Sequence, residues 1–240
     1  MESALRQLVD TYWADTFGVP VEHVWDEGVH LSINTDGWPG VFVVRLGGAN
    51  RVSVPASLSA RVADAIRTMS PGAAFVPATW ELVLGDLRPT VLGPSVHAYT
   101  DNLDSVPEPT DADGALEVEQ IAPWRLTGLR SAVSTKEWEE AGFGAAVDVA
   151  FARYVDHTIA AAANLTSWRG SPTDLGVLTH PQWRGQGHGL RAAGEATRFA
   201  VAEHGVARWR SLTTNRASRA LAHRLGFIEY GSNIAVRLQD

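Results

Sequence analysis

A strand that runs through a glycine-rich turn directly into a long helix is the feature that most restricts how this chain folds. The pattern predicts the strand over Asp174–Thr179 and the helix over Leu190–His204, with Gly185, Gly187 and Gly189 between them. Glycine allows the backbone to turn sharply and to approach a ligand closely. The first amides of the following helix have no intrahelical partners and carry a partial positive charge. The segment therefore predicts a binding site for an anion, to which phosphate is well suited.

The residues alone allow more than one interpretation of this turn. In the first, the glycines only make a tight connection and bind nothing. In the second, Gly187, Gly189 and Ala192 match the G-x-G-x-x-A fingerprint of dinucleotide-binding proteins. The next predicted strand, Ala207–Thr213, ends without the acidic residue that would bind a ribose hydroxyl, which disfavours the second interpretation. A Walker-type loop is excluded because the chain has no G-x-x-x-x-G-K-[ST] segment.

The third interpretation rests on a resemblance. Arg184–Gly189, RGQGHG, resembles the [QR]-x-x-G-x-[GA] signature with which acetyltransferases of the GNAT superfamily bind the pyrophosphate of coenzyme A. The preceding Thr179–Trp183 resembles the end of the family's strand before that turn. A second family motif is resembled further along, in the expected order and spacing, by Asn215, Ser218, Leu221 and the LGF run at 225–227.

This resemblance covers residues 116–240 and implies a fold of the α/β (α+β) class. In the GNAT fold, a mixed and mostly antiparallel sheet is flanked by helices. The resemblance also implies that acetyl-CoA, or another short acyl-CoA, is the co-substrate.

The resemblance assigns the coenzyme site to named positions. The pantetheine arm would pair with the backbone of Leu178 and Thr179, where two parallel strands separate. An amide there would polarise the thioester carbonyl, as the donors of an oxyanion hole do. Asn215 would contact the pantetheine or order the cleft; alternatively, it caps the helix that starts nearby. The full set implied for the coenzyme is Leu178, Thr179, Arg184, Gly185, Gln186, Gly187, His188, Gly189, Leu190, Asn215 and Ser218.

Direct acyl transfer requires a base for the ammonium nucleophile and an acid for the leaving thiolate. Asp174 is the candidate base because many family members carry an acidic residue at this strand position; the alternative is a solvated carboxylate at the strand edge. The family's usual tyrosine acid falls at Ala222, so the expected acid is missing. Tyr230 and His223 are candidate substitutes, and packing or surface roles fit them equally well. Solvent is a further source of the proton.

We therefore expect an N-acetyltransferase in which an amine attacks the acyl-CoA directly. One alternative is a non-catalytic acyl-CoA-binding regulatory module, which the missing tyrosine favours. Another is a protein or peptide N-acetyltransferase, since the net charge of −7 is compatible with basic peptides. The chain has no cysteine, which excludes a cysteine nucleophile, and no G-x-S-x-G motif, which removes the commonest route to a serine acyl-enzyme.

The composition of the chain also limits which kinds of partner it can bind. An acidic chain is poorly suited to nucleic acid, whose binding requires clustered cations. No stretch reaches the roughly 18 apolar residues that span a bilayer, and the first residues lack the apolar core of a signal peptide. We expect a cytoplasmic protein without a membrane partner. No spacing of His, Asp and Glu matches a metal site, so we expect no metal.

A segment rich in Pro, Asp and Ser at residues 101–114 predicts a linker or surface loop. We expect an N-terminal α+β domain over residues 1–105 and the GNAT acyltransferase domain over residues 116–240. The apolar stripes of the first domain suggest that it shapes the acceptor side or forms a homodimer.

Hydrophobic periodicity and turn residues predict the individual elements. The first half is predicted to hold helices over residues 4–17, 57–69 and 76–84, an antiparallel hairpin made of Val29–Ile33 and Val41–Val54, and a strand over 91–99. The second half is predicted to hold short helices over 126–133 and 136–141, a helix over 218–225 and strands over 116–121, 146–155, 158–167 and 234–238. Asp156-His157 predicts a two-residue hairpin turn, and Asp36-Gly37 with Trp38-Pro39-Gly40 predicts the turn of the first hairpin. Ser134 or Thr135 is predicted to start the helix over 136–141, and Gly205 to end the helix over 190–204.

Overall fold

A computed structural model of the protein describes residues 3–34, 37–108 and 118–238. The chain divides into two compact units. The first comprises Met1–His97, Ser211–Asn215 and Glu229–Asp240, and the second comprises Ala98–Arg210 and Arg216–Ile228. The last strand of the chain therefore belongs mainly to the first unit. The domain limits 1–105 and 116–240 stay a prediction.

The first unit packs helices on a sheet. Its helices are α1 (Ser3–Phe17), α2 (Ser59–Ile66) and α3 (Pro77–Val83), and its strands are β1 (Gly28–Ile33), β2 (Val41–Leu46), β3 (Ala49–Val54), most of β4 (Thr90–Thr100) and most of β10 (Ile228–Arg237). The strand order is β1-β3-β2-β10-β4. Valines of β2 and β3 form the core with Val62 of α2 and Trp80 of α3, both fully buried.

The predicted hairpin between 29–33 and 41–54 is wrong. Residues 41–54 form two strands, β2 and β3, which pair antiparallel across a two-residue turn at Gly47 and Gly48. β1 pairs with β3 instead, in parallel, from Gly28↔Ala49 onward. The physical reason is the glycine pair, which closes a tight hairpin by itself and so places β3 between β1 and β2. Asp36, part of the predicted turn, lies outside the described residues.

The second unit carries the glycine-rich turn. Its helices are α4 (Thr127–Ala132), α5 (Thr135–Glu140), α6 (His188–His204) and α7 (Arg216–Arg224), and its strands are β5 (Glu119–Ile121), β6 (Val149–Val155), β7 (Thr158–Trp168), β8 (Ser171–Thr179) and most of β9 (Ala207–Leu212). The order is β9-β8-β7-β6-β5. Only β8 and β9 pair in parallel among these strands. The predicted mixed, mostly antiparallel fold with flanking helices is confirmed.

Helices cover both faces of this second sheet. Ala161 and Ala163 of β7 pack in one cluster with alanines of α6, whereas Ala162 packs in another with Leu129 of α4. Successive side chains of a strand point to opposite faces, so α6 lies on one face and α4 on the other. On β8, Leu175 belongs to the α6 cluster and Leu178 to the α4 cluster.

Several local predictions are confirmed. The hairpin turn between β6 and β7 has Asp156 and His157 at φ 47° and 63°, as a type I′ turn requires. α5 starts at a Ser134 cap, and α6 ends at Gly205 with φ 74°. β10 begins at Ile228 and is longer than the predicted strand over 234–238.

The described part of the predicted linker is packed. Val106 is 7% exposed and belongs to the α6 cluster, and Arg198 of α6 donates a hydrogen bond to the Pro107 carbonyl at 2.6 Å. This part of the predicted linker therefore packs against α6 within the second unit. Residues 109–117, including Leu116 of the predicted strand, lie outside the described residues.

Candidate functional site

β8 and β9 pair briefly and then separate. Their register is Asp174↔Arg208 and Leu175↔Trp209, and no later residue of β8 pairs with β9, although both strands are described to their ends. On its other edge β8 stays paired with β7 as far as Thr179. Over residues 176–179, the backbone groups of β8 that face β9 are thus free of strand pairing. β8 and β9 are therefore unpaired at Leu178 and Thr179, where the coenzyme arm is predicted to bind; that binding stays a prediction.

The turn after β8 leads into α6 without a side-chain cap. Gly187 is the N-cap residue, with φ 88°, and makes no side-chain cap bond to the first turn. A residue with a Cβ is disfavoured at this φ. The first amides of a helix have no acceptor within the helix and point out of its end, so the start of α6 is a candidate site for an anion.

Gly189 is required because β8 lies close to the start of α6. A Cβ at Gly189 would lie 2.7 Å from the Thr179 hydroxyl oxygen and 3.8 Å from Val177. Both of these side chains are on the β8 segment that β9 leaves unpaired. The missing side chain thus lets the start of α6 lie directly against the cleft strand.

Arg184, the first residue of the signature, is held by protein groups on two sides. Its Nε donates to the Thr179 carbonyl at 3.2 Å, and its Nη2 lies 2.7 Å from Oε1 of Glu137. The Arg184 and Glu137 side chains are 47% and 38% exposed. The guanidinium consequently links the turn both to the end of β8 and to α5.

Glu137 is the third residue of α5 and completes a capping box with Ser134. Its Oε2 accepts from the Ser134 amide at 3.0 Å and from the Ser134 hydroxyl at 2.8 Å. These bonds from Ser134, followed by the bond from Arg184, lower the pKa of Glu137 to about 2. Its carboxylate is therefore ionised throughout the neutral range and is a permanent partner for Arg184.

Asp174, the candidate base, is buried in an ion cluster. Its side chain is 6% exposed, and Oδ2 accepts from Arg210 at 2.6 and 3.0 Å, with Arg208 Nη1 at 3.6 Å. A substrate ammonium would have to compete with these guanidinium groups for the same oxygens. The role of Asp174 as a base stays a proposal.

The remaining predicted residues are distributed between the units. Asn215 belongs to the first unit and directly precedes α7, whereas Ser218 belongs to the second and accepts from Trp209 Nε1 at 2.9 Å. Tyr230 lies in the first unit, 8% exposed, and its hydroxyl donates to the Asp10 carboxylate. Ala222, at the usual position of the acid, is 5% exposed in the α6 cluster.

His223, the other candidate acid, lies in the last turn of α7 and is exposed. Gln186 donates to the Gln182 carbonyl at 3.2 Å and so stabilises the turn internally. The positions of all these residues leave the catalytic assignments as predictions.

The sequence did not identify Glu137 or Arg210 as residues of the site. The capping box of Glu137 has a local signal, Ser134 with a glutamate three residues later. Its second partner is 47 residues away, and no local pattern indicates that contact. Arg210 is joined to Asp174 only because β8 and β9 are neighbours in the sheet.

Within residues 3–34, 37–108 and 118–238, no group of three or more His, Asp and Glu side chains is arranged to hold a metal ion. No described helix is both long enough and apolar enough to cross a bilayer.

The chain is similar to a known protein family and to solved structures. A family model described as an acetyltransferase (GNAT) domain matches residues 94–228, more than half of the chain. An acetyltransferase from the GNAT family of Colwellia psychrerythraea is similar in structure, with a TM-score of 0.50 at 15% identity, over 100% of this chain and 98% of that one. A GCN5-related N-acetyltransferase from Kribbella flavida is 21% identical, with a TM-score of 0.42, over 66% of this chain and 63% of that one. No curated protein matches the sequence significantly.

Proposed function

Because the chain belongs to the GNAT acetyltransferase family, we propose that it transfers an acetyl or other short acyl group from acyl-CoA to an amine. The acceptor is a small molecule or a peptide, and the amine attacks the thioester directly. Acyl-CoA is a co-substrate, and no metal takes part in the proposed reaction.

The observation that carries this proposal is the separation of β8 and β9 next to the start of α6 at Gly187. An extended pantetheine arm is proposed to pair with the backbone of β8 at Leu178 and Thr179, where β9 is no longer the strand partner. The pyrophosphate is proposed to bind at the start of α6, over residues 187–190, with Gly185 and Gln186 shaping the turn. Asn215 and Ser218 are proposed to complete the coenzyme side.

The protein has to contribute little to the chemical step. Acyl-CoA supplies an activated acyl group whose leaving thiolate needs little help. A backbone amide of β8 near the thioester would stabilise the negative charge that develops on the carbonyl oxygen. Asp174 is the proposed base, directly or through water, and Tyr230 is the proposed acid.

A second candidate function is a non-catalytic acyl-CoA-binding module. Two observations favour it: the Asp174 carboxylate is occupied by Arg210, and the usual acid position holds the buried Ala222. This candidate predicts the same coenzyme binding without turnover on any amine.

Isothermal titration with acetyl-CoA and coenzyme A tests the proposal, with Gly187→Trp as the disrupted variant. Gly170→Trp is the matched control, because Gly170 has nearly the same φ, 80° against 88°, and neither glycine has a non-neighbouring atom within 4 Å of an added Cβ. Gly170 lies at the opposite end of β8, before Ser171.

We expect binding to be lost in Gly187→Trp and kept in Gly170→Trp, with both variants folded by circular dichroism. A well-folded wild-type protein that binds neither compound would overturn the proposal. Turnover of an amine library by the binding-competent protein then separates the enzyme from the regulatory module.

A further inference from the structure

The short helix α5 lies beside the part of β8 that β9 leaves unpaired. The carbonyl of Ala141, which follows α5, accepts from Nδ2 of the buried Asn164 at 3.1 Å. Asn164 lies opposite Gly176 in the sheet, and a Cβ at Gly176 would overlap that same carbonyl oxygen. The C-terminal end of α5 is thus seated on β8 at the first unpaired residue.

The N-terminal end of α5 is attached to the other end of the same segment. Glu137 binds Ser134 through one carboxylate oxygen and Arg184 through the other. Arg184 in turn donates to the Thr179 carbonyl, the last residue of β8. The two attachments hold residues 176–184 from the side, along the stretch where strand pairing with β9 is missing.

From these contacts we propose that Glu137 is a positioning residue for the coenzyme site, acting through Arg184. The ion pair holds the turn in the conformation that aims the amides of α6 at the pyrophosphate. The side chain of Arg184 then acts on the protein, and the phosphate is bound by backbone donors. This inference rests on the proposed function, since it concerns the same site.

Glu137→Gln separates the two roles of this residue. Glutamine serves at this position of a capping box as glutamate does, so the start of α5 is kept, whereas the charge that pairs with Arg184 is removed. Glu140→Gln is the matched control, because it removes another carboxylate from the same helix. The partner of Glu140 is Lys136, which lies 3.7 Å away and has a side chain that is 83% exposed.

We expect Glu137→Gln to raise the dissociation constant for coenzyme A, measured by calorimetry, about two- to fivefold, as for a half-exposed ion pair. Glu140→Gln should bind as the wild type does. In an Arg184→Gln background, Glu137→Gln should have no further effect, because its partner is gone. A purely structural role of Glu137 would weaken binding in both backgrounds.

Two results would overturn this inference while leaving the proposed function intact. One is equal binding by the wild type and Glu137→Gln. The other is tighter binding by Glu137→Gln, which would identify Arg184 as a phosphate ligand that Glu137 restrains. Absence of coenzyme A binding by the wild-type protein is distinguishable from both, and it would overturn the proposed function together with the inference.

Discussion

The guanidinium of Arg184 lies 2.7 Å from the carboxylate of Glu137, although 47 residues separate them in the chain. Charged hydrogen bonds are shorter and stronger than neutral ones, and this one joins the glycine-rich turn to a helix on its flank. The contact therefore attaches the glycine-rich turn to an element outside β8 and α6.

The pH dependence of this contact follows from the pKa of Glu137. Its pKa in the folded protein is about 2, lowered from 4.5, so Glu137 contributes stability that is full above the ordinary value and is lost as the pH falls through about 2. We expect the carboxyl carbon of Glu137 to titrate near pH 2 by NMR.

Urea unfolding supplies the independent check on Glu137. The wild type should be more stable than Glu137→Gln at pH values above 4.5, and the difference should vanish at about pH 2. A stability difference that is the same at both extremes would contradict the assignment.

The contact between Gly189 and Thr179 predicts that Gly189→Ala destabilises the protein when Thr179 is present and stabilises it when Thr179 is replaced by alanine. In the wild-type background, Gly189→Ala places a Cβ 2.7 Å from the Thr179 hydroxyl oxygen, and overpacking should cost about 1–2 kcal/mol. In a Thr179→Ala background that oxygen is gone, and the same substitution should stabilise the protein by up to ~1 kcal/mol through helix propensity. Denaturant unfolding of the four proteins measures both effects.

The cluster around Asp174 predicts a large loss of stability. Asp174→Asn leaves Arg208, whose side chain is 8% exposed, without its carboxylate, and loss of one partner of a buried ion pair costs about 3–5 kcal/mol. Because Arg210 is 54% exposed, we expect Asp174→Asn to lower the free energy of unfolding by about 2–3 kcal/mol. Asp64→Asn, in the exposed pair with Arg67, should change stability by less than ~0.5 kcal/mol. Equal effects of the two variants would contradict the buried role.

The hydroxyl of Tyr230 donates to the Asp10 carboxylate, which also accepts from Trp25 Nε1 at 2.7 Å. Tyr230→Phe should therefore destabilise the protein by about 1–2 kcal/mol. Tyr154→Phe is the control, since the Tyr154 hydroxyl makes no hydrogen bond to the described residues. A fall in kcat of about 100-fold or more without loss of stability would instead identify Tyr230 as the general acid.

Elements whose signals are local were predictable from the sequence. The Asp156-His157 turn, the end of α6 at Gly205 and the cap of α5 all depend on neighbouring residues, and the structure confirms them. The parallel pairing of β1 with β3 was not predicted, because nothing local to either strand indicates which neighbour lies beside it.

By itself, the sequence determined the family and the turn that leads into α6, because a glycine turn before a helix requires particular residues at particular spacings. Only the tertiary structure decided which side chains are bound at that turn. The partner of Arg184 is Glu137 on α5, and the partners of Asp174 are arginines on the adjacent strand. Contacts of this kind depend on which surfaces the chain brings together, and residues far apart in sequence leave no common pattern that indicates them.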